Sequence, residues 1–568
     1  DLSSDVCSSD LPDGGQPAVD AAAPIDAAPV QLACSEDLHD ILDADGNVIE
    51  TCPLTQGCSA GECIPACEAA ANSGGNLGCD FYASTPHFYT AIAPPCFAAF
   101  VANGWGSDTS ITIGRDGQQY PASDFGRIAD GAIAESAWAP VPVTGLPTDN
   151  VAVLFLSQDP NSVNATSLTC PVTPAISVSG GTAAGYGNDN PPSTTGIAWR
   201  IQTDVPVSLY DILPYGGAAS YLPSAQLVMP ASALGDNFIV SLPKTSGSGT
   251  PWLQVLATED NTSIKVSPNI DFPAGAVDAA ASGVTSTFTA NAGEYIQWQF
   301  GLNGNASGSI VSSDKPIVVV GGDTYICYSS LTSSGGGCDS AHQVIPPVSA
   351  MGMEYVAAPH KNRSVGPESI AYRITGVVDG TTLTYDPPVA GAPAEIARGE
   401  VVDFESSVPF AVSAQDIDHP VHVAQMMAGS LVINPLFTNM GDEEFVNILP
   451  PAQFLRRYVF FTDPSYPNSS LALTRVANAD GEFSDVTIEC IGVVSGWVAA
   501  DTAGKFQVAM VDLVIDGVGE QTCVNGSQTA FSDQPFGITV WGLATFASYA
   551  YPAGGNARTI NDVVITID

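Results

Sequence analysis

A chain that repeats a turn signature at near-constant spacing must fold as a series of similar units, because each copy favours the same local structure. Here the signature is Asp-x-Pro set between two apolar runs. It occurs at Asp204–Pro206, Asp314–Pro316, Asp418–Pro420 and Asp533–Pro535, at intervals of 110, 104 and 115 residues. A second motif keeps the same step. PASALGDNFIV from Pro230 returns as PVSAMGMEYVA from Pro347 and PAQFLRRYVF from Pro451, 117 and 104 residues on. The spacing predicts units of about 105 to 115 residues over residues 80–568. Asp ahead of Pro reads as a turn residue whose carboxylate accepts backbone N–H groups, in preference to a ring of ligand carboxylates.

Between the signatures lie short runs of Val, Ile, Thr, Phe and Tyr, punctuated by 55 Gly and 43 Pro, and no long helical periodicity. LQVLATEDNTSIKV from Leu253 and YRITGVVDGTTLTY from Tyr372 alternate apolar and polar residues on both sides of an Asp-Asn or Asp-Gly pair. That pattern predicts hairpins, with SLALTRVANADGEFSDVTIEC from Ser470 a longer one. The expected fold class is all-β, made of repeated four-stranded antiparallel units. A half-unit near 55 residues approaches the length of a propeller blade, so a propeller-like ring is preferred over tandem β-sandwiches. The apolar run from Phe536 to Ala553 contains Gly537, Gly542, Ser548 and Pro552, and reads as strands in place of a transmembrane helix.

The N-terminal part differs. Residues 1–33 read as a disordered tether rich in Asp, Ala and Pro, which cannot form a core. About the first eleven of them, with Ser-Ser-Asp repeated around Cys7, look foreign to the native protein. Residues 34–79 hold Cys34, Cys52, Cys58, Cys63, Cys67 and Cys79, enough for three disulfides to constrain a segment with little core. Their pairing is open, and the Cys58, Cys63, Cys67 spacing does not suit zinc. Further on, Cys327 with Cys338 would staple the excursion YSSLTSSGGG, Cys490 with Cys523 would tie two strands, and Cys96 and Cys170 remain to pair. Setting Cys7 aside leaves twelve cysteines, an even number that fits an oxidising compartment.

Charge and missing motifs narrow the function. Lys and Arg number 15 against 59 Asp and Glu, a formal charge of −44, which excludes nucleic acid and anionic lipid as partners. The chain has no His-Glu-x-x-His, no Gly-x-x-x-x-Gly-Lys and no Gly-x-Ser-x-Gly, and no catalytic or cofactor-binding residue is expected. His419 and His422 fall on opposite faces if extended and read as solvated turn residues, and His342 reads as a polar loop residue. Asp442, Glu443 and Glu444 form the densest acidic cluster, but neighbours on a strand point apart and nothing in the sequence supplies a second carboxylate. Asp43, Asp45 and Asn47 resemble the start of a calcium loop without its twelve-residue frame; an Asp-Gly turn is preferred, with calcium the minority reading. Gln226, Gln343 and Asn447 each precede a matched proline by four residues and suit a role in tying off a strand end.

The passages LQVLATEDNTSIKV, SSDKPIVVVGG from Ser312, CDSAHQVIPPVSAMGMEYVAAP from Cys338, YRITGVVDGTTLTY and PFGITVWGLATFASYAYPAGG from Pro535 resemble the N-terminal domain of the IgG-Fc-binding protein family, including its bacterial surface members. The lead-in also looks like the tether that follows a lipid-bearing cysteine in Gram-negative surface lipoproteins, which implies a lipid anchor upstream. The resemblance implies binding or adhesion at an extracellular or outer-membrane surface, with a glycan or protein partner and no catalysis. The Gly-Asp-Pro-His sites of the family's mucus members are missing, so self-cleavage does not carry over. The two other readings are a carbohydrate-active hydrolase on a β-propeller and a structural surface-coat protein. Among the loops, the Cys327–Cys338 excursion is the expected contact.

Overall fold

A computed structural model describes residues 32–567 other than 36, 90–92, 161–168, 179–191, 221, 246–248, 329–330, 332–336 and 434–438. The fold is all-β, as the run lengths require. Three strands are unusually long: Trp199–Leu213, Ile310–Ile326 and Gly526–Ala544. Each is the spine of a curled sheet of eight or nine strands. In the third unit the equivalent strand is broken into Phe410–Ala414 and Val421–Met427, which lie in two separate four-stranded sheets.

The break explains the Asp-x-Pro signature. In three units the motif lies inside the long strand, and in the third it lies in the gap between the two short ones. Sequence pattern predicts a turn between two strands; the structure instead bends one strand. Proline has no N–H for the ladder, so pairing lapses and the strand can bend from one half of its curled sheet to the other. The partner registers skip there, between Gln202 and Val207 in the first unit and between Gly235 and Asn237 in the second. The Asp side chain stays local. Asp204 Oδ1 accepts from Thr109 Oγ1 and Ser110 N, both at 2.8 Å, and Asp314 Oδ1 accepts from Ser263 N at 2.7 Å.

The same bend overturns the hairpins. Pro251–Ala257 and Thr262–Ser267 do not pair with each other; Ile310–Ile326 runs between them, one half against each. Asn468–Val476 and Val486–Ile488 flank Gly526–Ala544 in the same way. Ile370–Gly376 and Thr381–Asp386 fall in different sheets. The turn chemistry is real, with Asn261 at φ 54° and Gly380 at φ 76°. What it makes is a step across the long strand to the far side of the same curled sheet or, in the third unit, to the neighbouring sheet. Nor do the units have the four-stranded meander of a propeller blade: Ile310–Ile326 alone pairs with four strands, Gly235–Ile239, Pro251–Ala257, Thr262–Ser267 and Asp339–Val344.

One end of each long strand, and of Val421–Met427 in the third unit, carries a short inner strand: Ser224–Val228, Asp339–Val344, Glu444–Asn447 and Ala547–Pro552. These four neighbour one another in a closed cycle, the first beside both the second and the last. Polar side chains cross the boundaries. Gln343 Nε2 donates to the Ala225 carbonyl of the first unit at 2.9 Å, while within the first unit Gln226 Nε2 donates to Asp211 Oδ2 at 2.8 Å. After the first three inner strands, Pro230, Pro347 and Pro450 lead into single 3-10 turns, which is what the second motif encodes. Closure of the cycle buries the first unit on the fourth: Phe100 meets Phe461 with ring centroids 4.5 Å apart, and the Tyr210 hydroxyl donates to the Ala553 carbonyl.

The cysteine module is a three-stranded sheet of Ala33–Cys34, Asp40–Leu42 and Val48–Thr51, then a short hairpin and the helix Ala66–Ser73, which ends at Gly74 in the left-handed conformation. Its pairings are Cys34–Cys58, Cys52–Cys63 and Cys67–Cys79. The other three disulfides are Cys96–Cys170, Cys327–Cys338 and Cys490–Cys523. Cys7 and most of the tether lie outside the described residues.

Candidate functional site

Three parts of the chain, distant in sequence, enclose a cavity of about 310 Å³. The cysteine module supplies His39 and Leu54, the first unit Trp105 and Asp149, and the fourth unit Leu455 to Val459. The close approach depends on the sequence Gly104-Trp105-Gly106: a Cβ at position 104 would stand 2.9 Å from Val459 Cγ2, and Gly106 has φ +95°. Trp105 is buried, its ring 4.3 Å from that of His39 and its Nε1 donating to the Leu54 carbonyl at 2.8 Å. Leu54 itself is half exposed. At the rim Arg457 Nη2 lies 2.6 Å from Asp149 Oδ1. Apolar walls with a few polar groups at the mouth are the usual make-up of a ligand cleft. No local motif announces it; the glycine-flanked tryptophan is the one signal that could have.

A second cluster lies where the inner strands meet. Asp339, Asp442, Glu443 and Glu444 are each at most 1% exposed. The acidic run Asp442–Glu444, which no nearby residue in the chain supplies with a further carboxylate, gains one from Asp339 of the neighbouring unit. Asp339 Oδ2 accepts from Ser548 N at 3.1 Å, and Ser548 Oγ accepts from Asp442 N at 3.2 Å. Ser224 Oγ donates to Glu444 Oε1 at 3.3 Å. All four units therefore touch the cluster. Burial pushes each carboxyl above its usual range, and the charges of Asp442 and Glu444 add to this at Asp339, as do those of Asp442 and Asp339 at Glu443. Gly337, at φ +81°, brings the end of the Cys327–Cys338 excursion onto this cluster; a Cβ there would lie 2.0 Å from Asp442 Oδ1. Residues 329–330 and 332–336 of that excursion lie outside the described residues.

The histidines divide differently from the sequence reading. His342 is no loop residue: it sits buried in an inner strand with Nε2 2.9 Å from Asp211 Oδ1. His422 is also buried, Nε2 3.0 Å from Asn447 Oδ1, and burial holds its imidazole down to about 4. His419 does lie in a turn, against Asp416 at 2.6 Å. Asp43 accepts from the backbone N–H groups of Asp45 and Asn47, both at 2.9 Å, in a plain exposed turn. Among the described residues no three His, Cys, Asp or Glu side chains gather as a metal-ligand set.

These features define a class: a β-repeat scaffold with three disulfides behind a module with three more, of the kind that functions outside the cell. Among the described residues no helix is long and apolar enough to cross a membrane. The sequence model of the family described as IgGFc binding protein matches residues 224–542, more than half of the chain, and the chain belongs to that family. Membership marks it as an extracellular binding protein. The match opens at the first inner strand and ends in the last long strand. No curated protein sequence matches the chain.

Proposed function

We propose that this chain is a surface binding or adhesion protein that takes a glycan or a protein partner through loops on its β scaffold, and that it is not an enzyme. The contact site is the cleft between the cysteine module and the first and fourth units. The observation that carries this reading is the cleft itself, with Leu54 half exposed at its mouth and the Arg457–Asp149 pair at the rim. A rigid scaffold with recognition at loops and seams suits binding. The carboxyl cluster does not favour the hydrolase reading, because its members are sealed and a glycosidase needs two carboxyls facing substrate.

The test is a glycan and protein binding screen with the full chain and its Leu54→Arg variant. Leu54 is half exposed, so the change fills the mouth without touching the core. A ligand whose affinity drops about tenfold or more in the variant supports the cleft. Binding that ignores the variant moves the contact to other loops. Silence across the screen with ordered self-association would favour a coat protein instead.

A further inference from the structure

We propose that the carboxyl cluster at the meeting of the four units is a proton-held clasp, which keeps the inner strands together while it is protonated and loosens that seam when it ionises. The geometry is the starting point. Among the described residues, Asp339 Oδ1, Asp442 Oδ1, Glu444 Oε2 and both carboxyl oxygens of Glu443 find no donor outside the cluster, and the Glu443 and Asp442 carboxyls face each other within hydrogen-bonding reach, a contact that only a shared proton can fill. The four buried carboxyls that carry these oxygens cannot all ionise, since an unpaired buried charge costs several kcal/mol, on the order of the whole stability of a domain. Either protons or a cation must neutralise them. The absence of a converging metal-ligand set among the described residues favours protons.

The surroundings supply almost no positive charge. Arg363 faces Asp442 but is already committed to Glu368, which it holds through two nitrogens. Tyr325 and Tyr328 face the cluster from the second unit, and Tyr466 from the fourth, where Asp463 adds further negative charge. On the first unit Asp211 is taken up by His342 and Gln226. A carboxyl raised above its ordinary range favours the folded state at low pH. That advantage is complete below the ordinary carboxylate range and is lost as pH rises through the raised values. Asp339 belongs to the second unit and Asp442 to Glu444 to the third, so their repulsion acts across the boundary between those units, and Ser548 of the fourth is hydrogen-bonded to both sides of it.

Amide hydrogen exchange on the full chain, corrected for the intrinsic rate at each pH, reads the seam directly. From about pH 5 to about pH 9, protection of the four inner strands should fall about tenfold or more, while the outer strand Thr262–Ser267 holds steady. Asp442→Asn and, separately, Glu443→Gln should flatten the fall, because the amide cannot ionise. Constant protection in the native chain overturns the proposal. So does an equal fall in the outer strand, or a fall that millimolar calcium abolishes, which would make the neutralising ligand a cation. If Asp442→Asn does not fold, Glu443→Gln and the native profile decide between these outcomes.

Discussion

The Asn447 side-chain amide donates to the Val344 carbonyl over 2.7 Å, across the boundary between the third and second units. Its oxygen meanwhile faces His422 Nε2. One side chain thus joins two inner strands and fixes a buried imidazole. Replacing it by Ala leaves a buried carbonyl and a buried ring nitrogen without partners, which should cost about 1–3 kcal/mol. Urea unfolding of Asn447→Ala against the native chain measures it; an unchanged midpoint would mean the bond is dispensable.

The six disulfides predict a chemical outcome. In denaturant without reductant, the twelve cysteines from Cys34 to Cys523 should stay unreactive to a thiol reagent, and all should react after reduction. Replacing Cys490 and Cys523 together by Ala should cost about 2–4 kcal/mol, since the bond closes a loop across the last unit. Twelve free thiols in freshly isolated protein would contradict the pairing and the compartment alike.

The Asp-x-Pro aspartates are expected to matter for stability and not for ligand. Asp314→Ala removes the acceptor of the Ser263 N–H and should lower stability by about 1 kcal/mol. Binding of any ligand found in the screen should be unchanged. A large loss of affinity at normal stability would restore the ligand-ring reading.

His422 sets an acid-side dependence. Its folded-state value is depressed to about 4, so the folded state prefers the neutral ring. The corresponding stability is complete above the ordinary histidine value of 6.5 and is lost as pH falls from there toward 4. The variant His422→Gln stays neutral and should show a shallower decline of the urea midpoint over that window. Identical slopes would assign the decline to other groups.

What the sequence disclosed was set by range. Cys327 and Cys338 are close in the chain, Cys490 and Cys523 both fall in the last unit, and Cys96 and Cys170 are what remains, so three pairings can be reached by spacing and elimination. The module's three could not, because proximity there depends on how the hairpin Gln56–Pro65 and the helix after it fold. The Leu253 segment carries correct strand and turn signals, yet a strand from some fifty residues further on enters between its two arms, and no local pattern encodes that insertion. Asp339 and Asp442 meet only because successive units repeat one another in space. The cleft draws on His39, Trp105 and Arg457, which share no local motif. The repeat period was legible because it is a property of the chain; the contacts between repeats belong to the closed assembly.

Closure of the cycle also orders events in time. Phe100 and Tyr210 are made early, but the residues that cover them, Phe461, Tyr551 and Ala553, come about 360 residues later for the phenylalanine pair. During synthesis the first unit therefore waits with an aromatic face uncovered for tens of seconds or longer, at about 5–20 residues per second. A chain cut short before the fourth unit would keep that face permanently bare, so truncated products should aggregate even though each earlier repeat contains its own strands.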